Sequence, residues 1–359
     1  MDRPLAAEAA FAPAQNAARL LMQQARACAT LGSPLYASLL EHAAADLLAG
    51  GVVADVLDGY LARPAASVLA LRMLGGAHAL ALSGQAPDLA AFYPSAGGTA
   101  SPGRDGGDAW DALRQTLAAR TEWIRTWLTR PPQTNEVGRG AALVGGLRHI
   151  AAEAALPVRL VEVGTSAGLN LRADHFRIPG DAGHAGDPSS PVVLAGGWQG
   201  APPPEAAVEV IGRTGGDLDP IDPATPEGSL TLTAYVWPDQ AARLARLRGA
   251  IDLAAAIPAE VRREPATATL AGTRLADGSW TVLWHSIFRQ YLDTEQRAEL
   301  AAGVAALGAA ATAAARFAYL YLEQSRSGGC PVRLTTWPGG HTRVLGHAPP
   351  HGLPVTWAG

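Results

Sequence analysis

Lysine is absent: all 28 basic side chains among the 359 residues are arginine. Without a lysine amine there is no Schiff base to a carbonyl substrate and no phosphate-loop lysine, which excludes pyridoxal-phosphate enzymes and P-loop nucleotide hydrolases. Cysteine is nearly absent. Cys28 and Cys330 lie far apart and form no Cys-x-x-Cys pair, so neither a disulfide framework nor a thiol redox motif is expected, and the reading is a reduced, cytoplasmic protein. His175, His184, His341, His347 and His351 show no zinc-ligand spacing, and Asp217, Asp219 and Asp222 lack the calcium-loop pattern, so no metal is expected. A charge excess is missing as well: the net charge is −4 with no basic run, which gives nucleic acid no electrostatic footing. No stretch reaches the ~18 consecutive apolar residues of a membrane span. Asp2, Arg3 and Glu8 interrupt the N-terminus early, so neither a leader segment nor a membrane partner is expected.

What is present is apolar: 48% hydrophobic residues over a length that suits about two domains. Residues 17–30, 34–49, 52–61, 67–82 and 110–128 place apolar side chains at three- and four-residue spacing, the helical period. Ser33-Pro34 and the segment 64–67 supply helix-start signals, and 94–107 is a loop rich in Gly, Pro and Ser. After Pro131-Pro132 the character changes. A helix at 140–154 leads to an apolar strand from Val158. Strands are expected at 189–198, 206–211, 280–284 and 317–322, with helical periods at 238–256 and 295–307. Two short strands around Pro338-Gly339-Gly340 read as a hairpin. The expectation is an all-α domain over residues 1–132, then an α/β domain over 133–359 with a mainly parallel sheet and a C-terminal antiparallel hairpin.

The chain's chemistry centres on the turn after the strand at Val158. Glu162-Val163-Gly164-Thr165-Ser166-Ala167-Gly168 ends an apolar run in an acid, passes through small residues and enters an apolar helical pattern. A strand, a tight turn and a helix place a ligand at the helix N-terminus. Two chemistries share this outline. As Gly-x-Ser-x-Gly it is the nucleophile elbow of an α/β-hydrolase, with Ser166 as nucleophile, an acid at Asp217, Asp219 or Asp222, and His285 or His341 as base. As Glu-x-Gly-x-Ser-x-Gly it resembles the cofactor loop of class I S-adenosylmethionine (SAM) methyltransferases, with Ser166 departing from the usual middle glycine. A hydrolase elbow sits deep in its sheet, after several strands. Here the preceding residues read as helical, which favours the methyltransferase.

The second strand ends in Gly-Gly-Asp-Leu-Asp-Pro (215–220), resembling the methyltransferase position whose acid accepts both ribose hydroxyls. Asp217 is the first candidate and Asp219 the second. Asp174 lies nearer the ~20-residue spacing usual after the glycine loop. Trp284-His285-Ser286 closes a buried strand, where open sheets present functional groups. His285 has a titration range suited to removing a proton from a methyl acceptor; its alternative role is a hydrogen bond within the structure. Ser286 and Tyr291 follow as substrate-side candidates. Asn135, Glu136 and Arg139, in the polar cluster before the sheet, are read as holding the cofactor's charged end or the substrate. A capping box with Thr134 as cap is the competing reading.

Several phrases together resemble an uncharacterised bacterial domain-of-unknown-function family, DUF2332: Gln-Thr-Asn-Glu-Val-Gly-Arg (133–139), Glu-Val-Gly-Thr-Ser-Ala-Gly-Leu-Asn-Leu (162–171), Asp-Leu-Asp-Pro-Ile-Asp (217–222), Val-Trp-Pro-Asp-Gln (236–240) and Trp-His-Ser (284–286). Gly-Ser-Pro-Leu-Tyr (32–36) and Tyr-Pro-Ser (93–95) extend the likeness into the helical half. The family carries no activity to transfer. The methyltransferase likeness implies a Rossmann-like domain that binds SAM through Glu162, Gly164, Ser166, Gly168 and an acid at 217 or 219. It further implies methyl transfer to a small molecule with His285 as base. A non-catalytic SAM- or nucleotide-binding module on the same fold is the third reading.

Overall fold

The computed structural model describes residues 3–62, 68–99, 106–180, 184–325 and 328–358. The helix-start signal at 64–67 and residues 100–105 of the expected loop lie outside the described residues. Contacts divide the chain into two units: Met1–Thr134 with Leu230–Leu244, and Asn135–Ser229 with Ala245–Gly359. A linear division at residue 132 does not contain this excursion, because the segment 230–244 is drawn into the helical unit by its own side chains.

The helical unit holds α1 (Arg3–Thr30), α2 (Pro34–Leu48), α3 (Val52–Leu57), α4 (Leu69–Leu82), α5 (Pro87–Ala90), α6 (Gly106–Ala119) and α7 (Thr121–Thr129). Leu39, Leu40, Met73, Leu74, Leu113 and Ile124 are fully buried in its core. Proline at the first position starts α2, and the Ser33 hydroxyl accepts the Tyr36 amide. Asp239 completes that helix start: it accepts from the Ser33 hydroxyl at 2.6 Å and from the Leu35 amide at 3.1 Å, while Gln240 donates to Leu31 O at 2.7 Å. Two of the segments that carry the family resemblance, 32–36 and 236–240, thus hold each other. His78 does similar work: its fully buried ring meets Ala234 O at 3.0 Å and the Ser95 hydroxyl at 2.6 Å.

The second unit is built on β1 (Val158–Val163), β2 (Trp198–Gly200), β3 (Val210–Asp217), β4 (Glu260–Arg263), β5 (Ser279–Ser286), β6 (Ala315–Leu322), β7 (Cys330–Trp337), β8 (His341–Ala348) and β9 (Val355–Trp357). They form one sheet in the order β2-β9-β8-β7-β6-β5-β1-β3-β4. β4, β3, β1, β5 and β6 are parallel, winding outwards from β1 in both directions, so the order reverses between β1 and β5. β7, β8 and β9 follow antiparallel. They are interior to the sheet rather than at its edge, because β2 pairs beyond β9.

That pairing corrects the expected strands at 189–198 and 206–211. Only Trp198–Gly200 and residues from Val210 onward join the sheet. The connection from β1 therefore crosses to the far edge before returning beside β1. The helices of this unit are α8 (Gly140–Glu153), α11 (Ala266–Gly272) and α12 (Thr294–Ala310), while α9 (Pro226–Ala234) and α10 (Ala241–Ala256) carry the chain out to the helical unit and back.

α8 packs on the sheet through Gly145 and Gly146. A Cβ at these positions would lie 2.0 Å from Trp357 Cζ2 and 2.4 Å from Leu320 Cδ2. Alanine normally gains up to ~1 kcal/mol over glycine within a helix, but overpacking costs about 1–3 kcal/mol. Gly145→Ala is therefore expected to lower the denaturant midpoint, and a raised midpoint would contradict the close approach.

Candidate functional site

β1 delivers Glu162 to the sheet interior, in register with Gly215 of β3 and Trp284 of β5. The side chain is 3% exposed. Gly215 leaves room for Thr165, which a Cβ there would approach to 2.7 Å. Thr165 folds over that gap and donates its hydroxyl to Glu162 Oε2 at 2.8 Å. Burial pushes the Glu162 carboxyl up to about 8; Asp217 adds to this, and the Thr165 bond, Trp284 and Arg139 oppose it. At neutral pH Glu162 is mainly a neutral acid, able to donate as well as accept.

Gly164, Ser166 and Gly168 all have left-handed backbone, at φ +67, +54 and +66°. At Gly164 a Cβ would also fall 2.2 Å from Phe288 Cδ2, so glycine is needed on both counts. Ser166 bears a side chain in a region that costs ~1–2 kcal/mol. It is held there by Asp217, whose Oδ2 accepts the Ser166 amide at 2.8 Å while Oδ1 accepts the Asp219 amide at 2.9 Å.

The helix expected after the turn is not formed. Residues Leu169–His175 make a 3-10 turn, broken at Arg172. Side chains take over its backbone groups: Asn135 Oδ1 accepts the Leu169 amide at 2.9 Å, and Arg172 donates to Gly168 O at 2.7 Å and to Ile257 O at 3.0 Å. A ligand here meets a turn knitted by side chains, without the aligned peptide dipoles of a full helix.

The polar cluster before the sheet joins this turn. Asn170 donates to Glu136 O at 3.2 Å, and the Glu136 carboxylate caps the next turn by accepting the Gly138 amide at 3.1 Å. Glu136 thus takes the capping role expected of Thr134. Arg139 donates to Ser286 O at 3.2 Å and to Pro350 O at 3.0 Å, fastening the end of β5. Tyr291 is 50% exposed on the 3-10 turn Arg289–Tyr291.

His285 stands apart. Because Glu162 pairs with Trp284, those two side chains share a face, and the pleat turns the adjacent His285 to the opposite one. Glu162 and Asp217 are brought together with the turn; His285 is not. Its ring is fully buried, Nδ1 2.7 Å from Glu323 Oε1 and Nε2 2.6 Å from the Tyr319 hydroxyl. The same Glu323 oxygen accepts the amides of Phe288 at 2.8 Å and Arg289 at 3.1 Å. Burial would raise Glu323, but the imidazole and these two amides hold its carboxyl below the usual range. Burial also raises the Tyr319 hydroxyl, which stays protonated beside Nε2. Glu323 and Tyr319 lie on and just past β6, and nothing in the sequence near His285 points to them.

Asp174 forms an ion pair with Arg213 and lies 3.5 Å from His175. Burial raises its carboxyl against the pull of Arg213 and His175, so this acid is committed to the protein. Asp219 pairs with Arg263 at 2.7 Å on the surface. Asp217 is half-buried, and Leu218 beside it is 68% exposed. An apolar side chain so placed, next to a strand-end carboxylate, is a candidate ligand contact that the phrase Asp-Leu-Asp-Pro already contains. Among the described residues no group of three or more His, Cys, Asp or Glu is placed to hold a metal ion, and no helix is long and apolar enough to cross a membrane.

Residues 18–357 match the model of family DUF2332, described as an uncharacterized protein conserved in bacteria. No curated protein and no solved structure matches the chain.

Proposed function

Since the chain belongs to family DUF2332, whose description names no activity, we propose its function from the site alone: SAM binding beside the 164–168 turn and methyl transfer to a small molecule on a Rossmann-like domain. One observation carries this reading. The glycine turn follows the innermost strand where the strand order reverses, with the half-buried carboxylate of Asp217 at the end of the neighbouring strand. Open parallel sheets bind ligands at such reversal points, outside the carboxyl ends of the strands.

The residues fit the cofactor in part. Each oxygen of Asp217 accepts one amide of the turn and keeps a lone pair for a ribose hydroxyl. Leu218 offers an apolar surface for the base. Close approach over Gly164 is taken up by Phe288, so the ligand must run along the Ser166, Gly168 and Asp217 side. When bound, SAM supplies an electrophilic methyl group. The chain supplies orientation and exclusion of water. His285 enters as a positioning residue: through Glu323 it holds the Phe288–Arg289 amides, and Phe288 in turn backs the glycine turn.

Calorimetric titration with SAM tests this. The expected result is measurable binding at submillimolar concentration, weakened roughly tenfold, about 1.4 kcal/mol, in Asp217→Ala. Leu218→Ser should weaken it severalfold without altering stability, since that side chain is exposed. No heat from a folded sample at millimolar SAM would remove the reading. Binding without turnover on any acceptor would leave a non-catalytic module.

The positive φ of Ser166 favours a second reading, a serine esterase, because nucleophile elbows are strained turns. Against it, both ring nitrogens of His285 are engaged by Glu323 and Tyr319. Covalent labelling by a fluorophosphonate that disappears in Ser166→Ala would establish the esterase; no labelling would close it.

A further inference from the structure

At the opposite end of the strands from the glycine turn, the sheet face that carries His285 holds an open cavity. Strand register sets Arg159 of β1 beside Gly212 of β3 and Thr281 of β5, and the two-residue period brings Thr214 to the same face. α11 covers this face, with Thr269 against Gly216 and Gly272 near the Arg262 guanidinium. Glycines and threonines between packed elements leave a gap of about 140 Å³. One water requires ~10–15 Å³ on that measure, so the space admits a small molecule.

The lining is chemically one-sided. Arg159, Arg262 and Arg274 border it, and none of its lining residues is acidic. Arg262 is paired with Glu260 at 2.7 Å, and Arg274 donates to Ala271 O at 2.5 Å and Thr273 O at 3.1 Å. Among the described residues Arg159 has no hydrogen-bond or ion-pair partner. Deeper in, Thr281 is 1% exposed and its hydroxyl has no partner. A buried hydroxyl without a partner is costly, and the guanidinium groups that line the same cavity are the donors that oxyanions bind most strongly.

We propose that this cavity binds an oxyanion, the phosphate or carboxylate group of a small molecule, through Arg159 and the Thr281 hydroxyl with Arg274 at the mouth. The site is separate from the glycine turn and does not depend on the methyltransferase reading.

Inorganic phosphate is the first probe, titrated at ionic strength matched with chloride while thermal stability and 31P line width are followed. Phosphate should stabilise the wild type beyond the chloride control, in proportion to occupancy. Succinate, run alongside, separates a carboxylate site from a phosphate site by which anion gives the larger shift. Arg159→Gln, on an exposed side chain, should weaken binding about tenfold or more. Thr281→Val, which keeps the volume and removes the unpartnered hydroxyl, should weaken it severalfold. If neither anion exceeds the chloride control, or if Arg159→Gln binds as the wild type does, the site is not as proposed. Arg159→Gln alone decides if the buried variant fails to fold.

Discussion

Replacing Glu323 with alanine is expected to destabilise the sheet unit by several kcal/mol, because each buried donor left without an acceptor costs about 1–3 kcal/mol. The carboxylate oxygen accepts His285 Nδ1–H, Phe288 N–H and Arg289 N–H at 2.7, 2.8 and 3.1 Å. Alanine leaves three donors at a buried position without an acceptor. Glutamine keeps a carbonyl oxygen and should recover part of the loss, because each neutral hydrogen bond contributes only about 1 kcal/mol. The folded-state value of Glu323 lies below the ordinary carboxylate value. Its contribution is therefore complete above the unfolded-state value near 4.5 and is lost as pH falls through the folded-state value. Denaturant unfolding at pH 7 measures the substitution. A loss under about 1 kcal/mol would mean that the three donors find other partners, a water-filled site included.

Glu162→Gln should act in the other direction, stabilising the protein at pH 8. Burial holds the Glu162 carboxyl at about 8 in the folded chain, against 4.5 without it. Between those values the folded state binds the extra proton, so stability falls as pH rises from about 4.5 and levels off above about 8. The difference corresponds to a few kcal/mol at most alkaline pH. Glutamine is never ionised and can still accept from Thr165. His78 works oppositely in the helical unit: burial lowers its value from 6.5 to about 4, so its contribution is lost as pH falls across that interval. The diagnostic quantity is therefore the variant minus the wild type, measured by urea unfolding at pH 5 and pH 8. The variant should gain at pH 8 relative to pH 5. An equal difference at both values would show that Glu162 is ionised and solvated in the folded protein.

Much of the secondary structure was legible because it follows local patterns. β5 is buried along almost its whole length and reads as a strand from Trp280 to Trp284, with Thr281 its one polar residue, and the helical spacing of 34–49 became α2. Left-handed backbone at Gly164 and Gly168 follows from glycine itself. The site was legible only in pieces. The sequence pattern marks Asp217 as a ribose acid, and in the structure it fastens the turn; the pattern does not reveal that its first partners are the amides of Ser166 and Asp219. The helix expected from 169 failed because Asn135, 34 positions earlier, and Arg172 bond the backbone groups a helix would have used.

By itself, then, the sequence determined the lysine-free chemistry, the strand and glycine turn around Glu162, and the helical character of the first half, since composition and short periods decide these. Tertiary structure alone decided which residues share a face. The register of β1 against β5 sets His285 opposite to Glu162, and strand pairing supplies Glu323 from 38 residues away. It also decided that residues 230–244 belong with the helices, where Asp239 caps α2 from 204 residues downstream of Leu35. Such partners are set by long-range packing, which leaves no mark in the spacing of neighbouring residues.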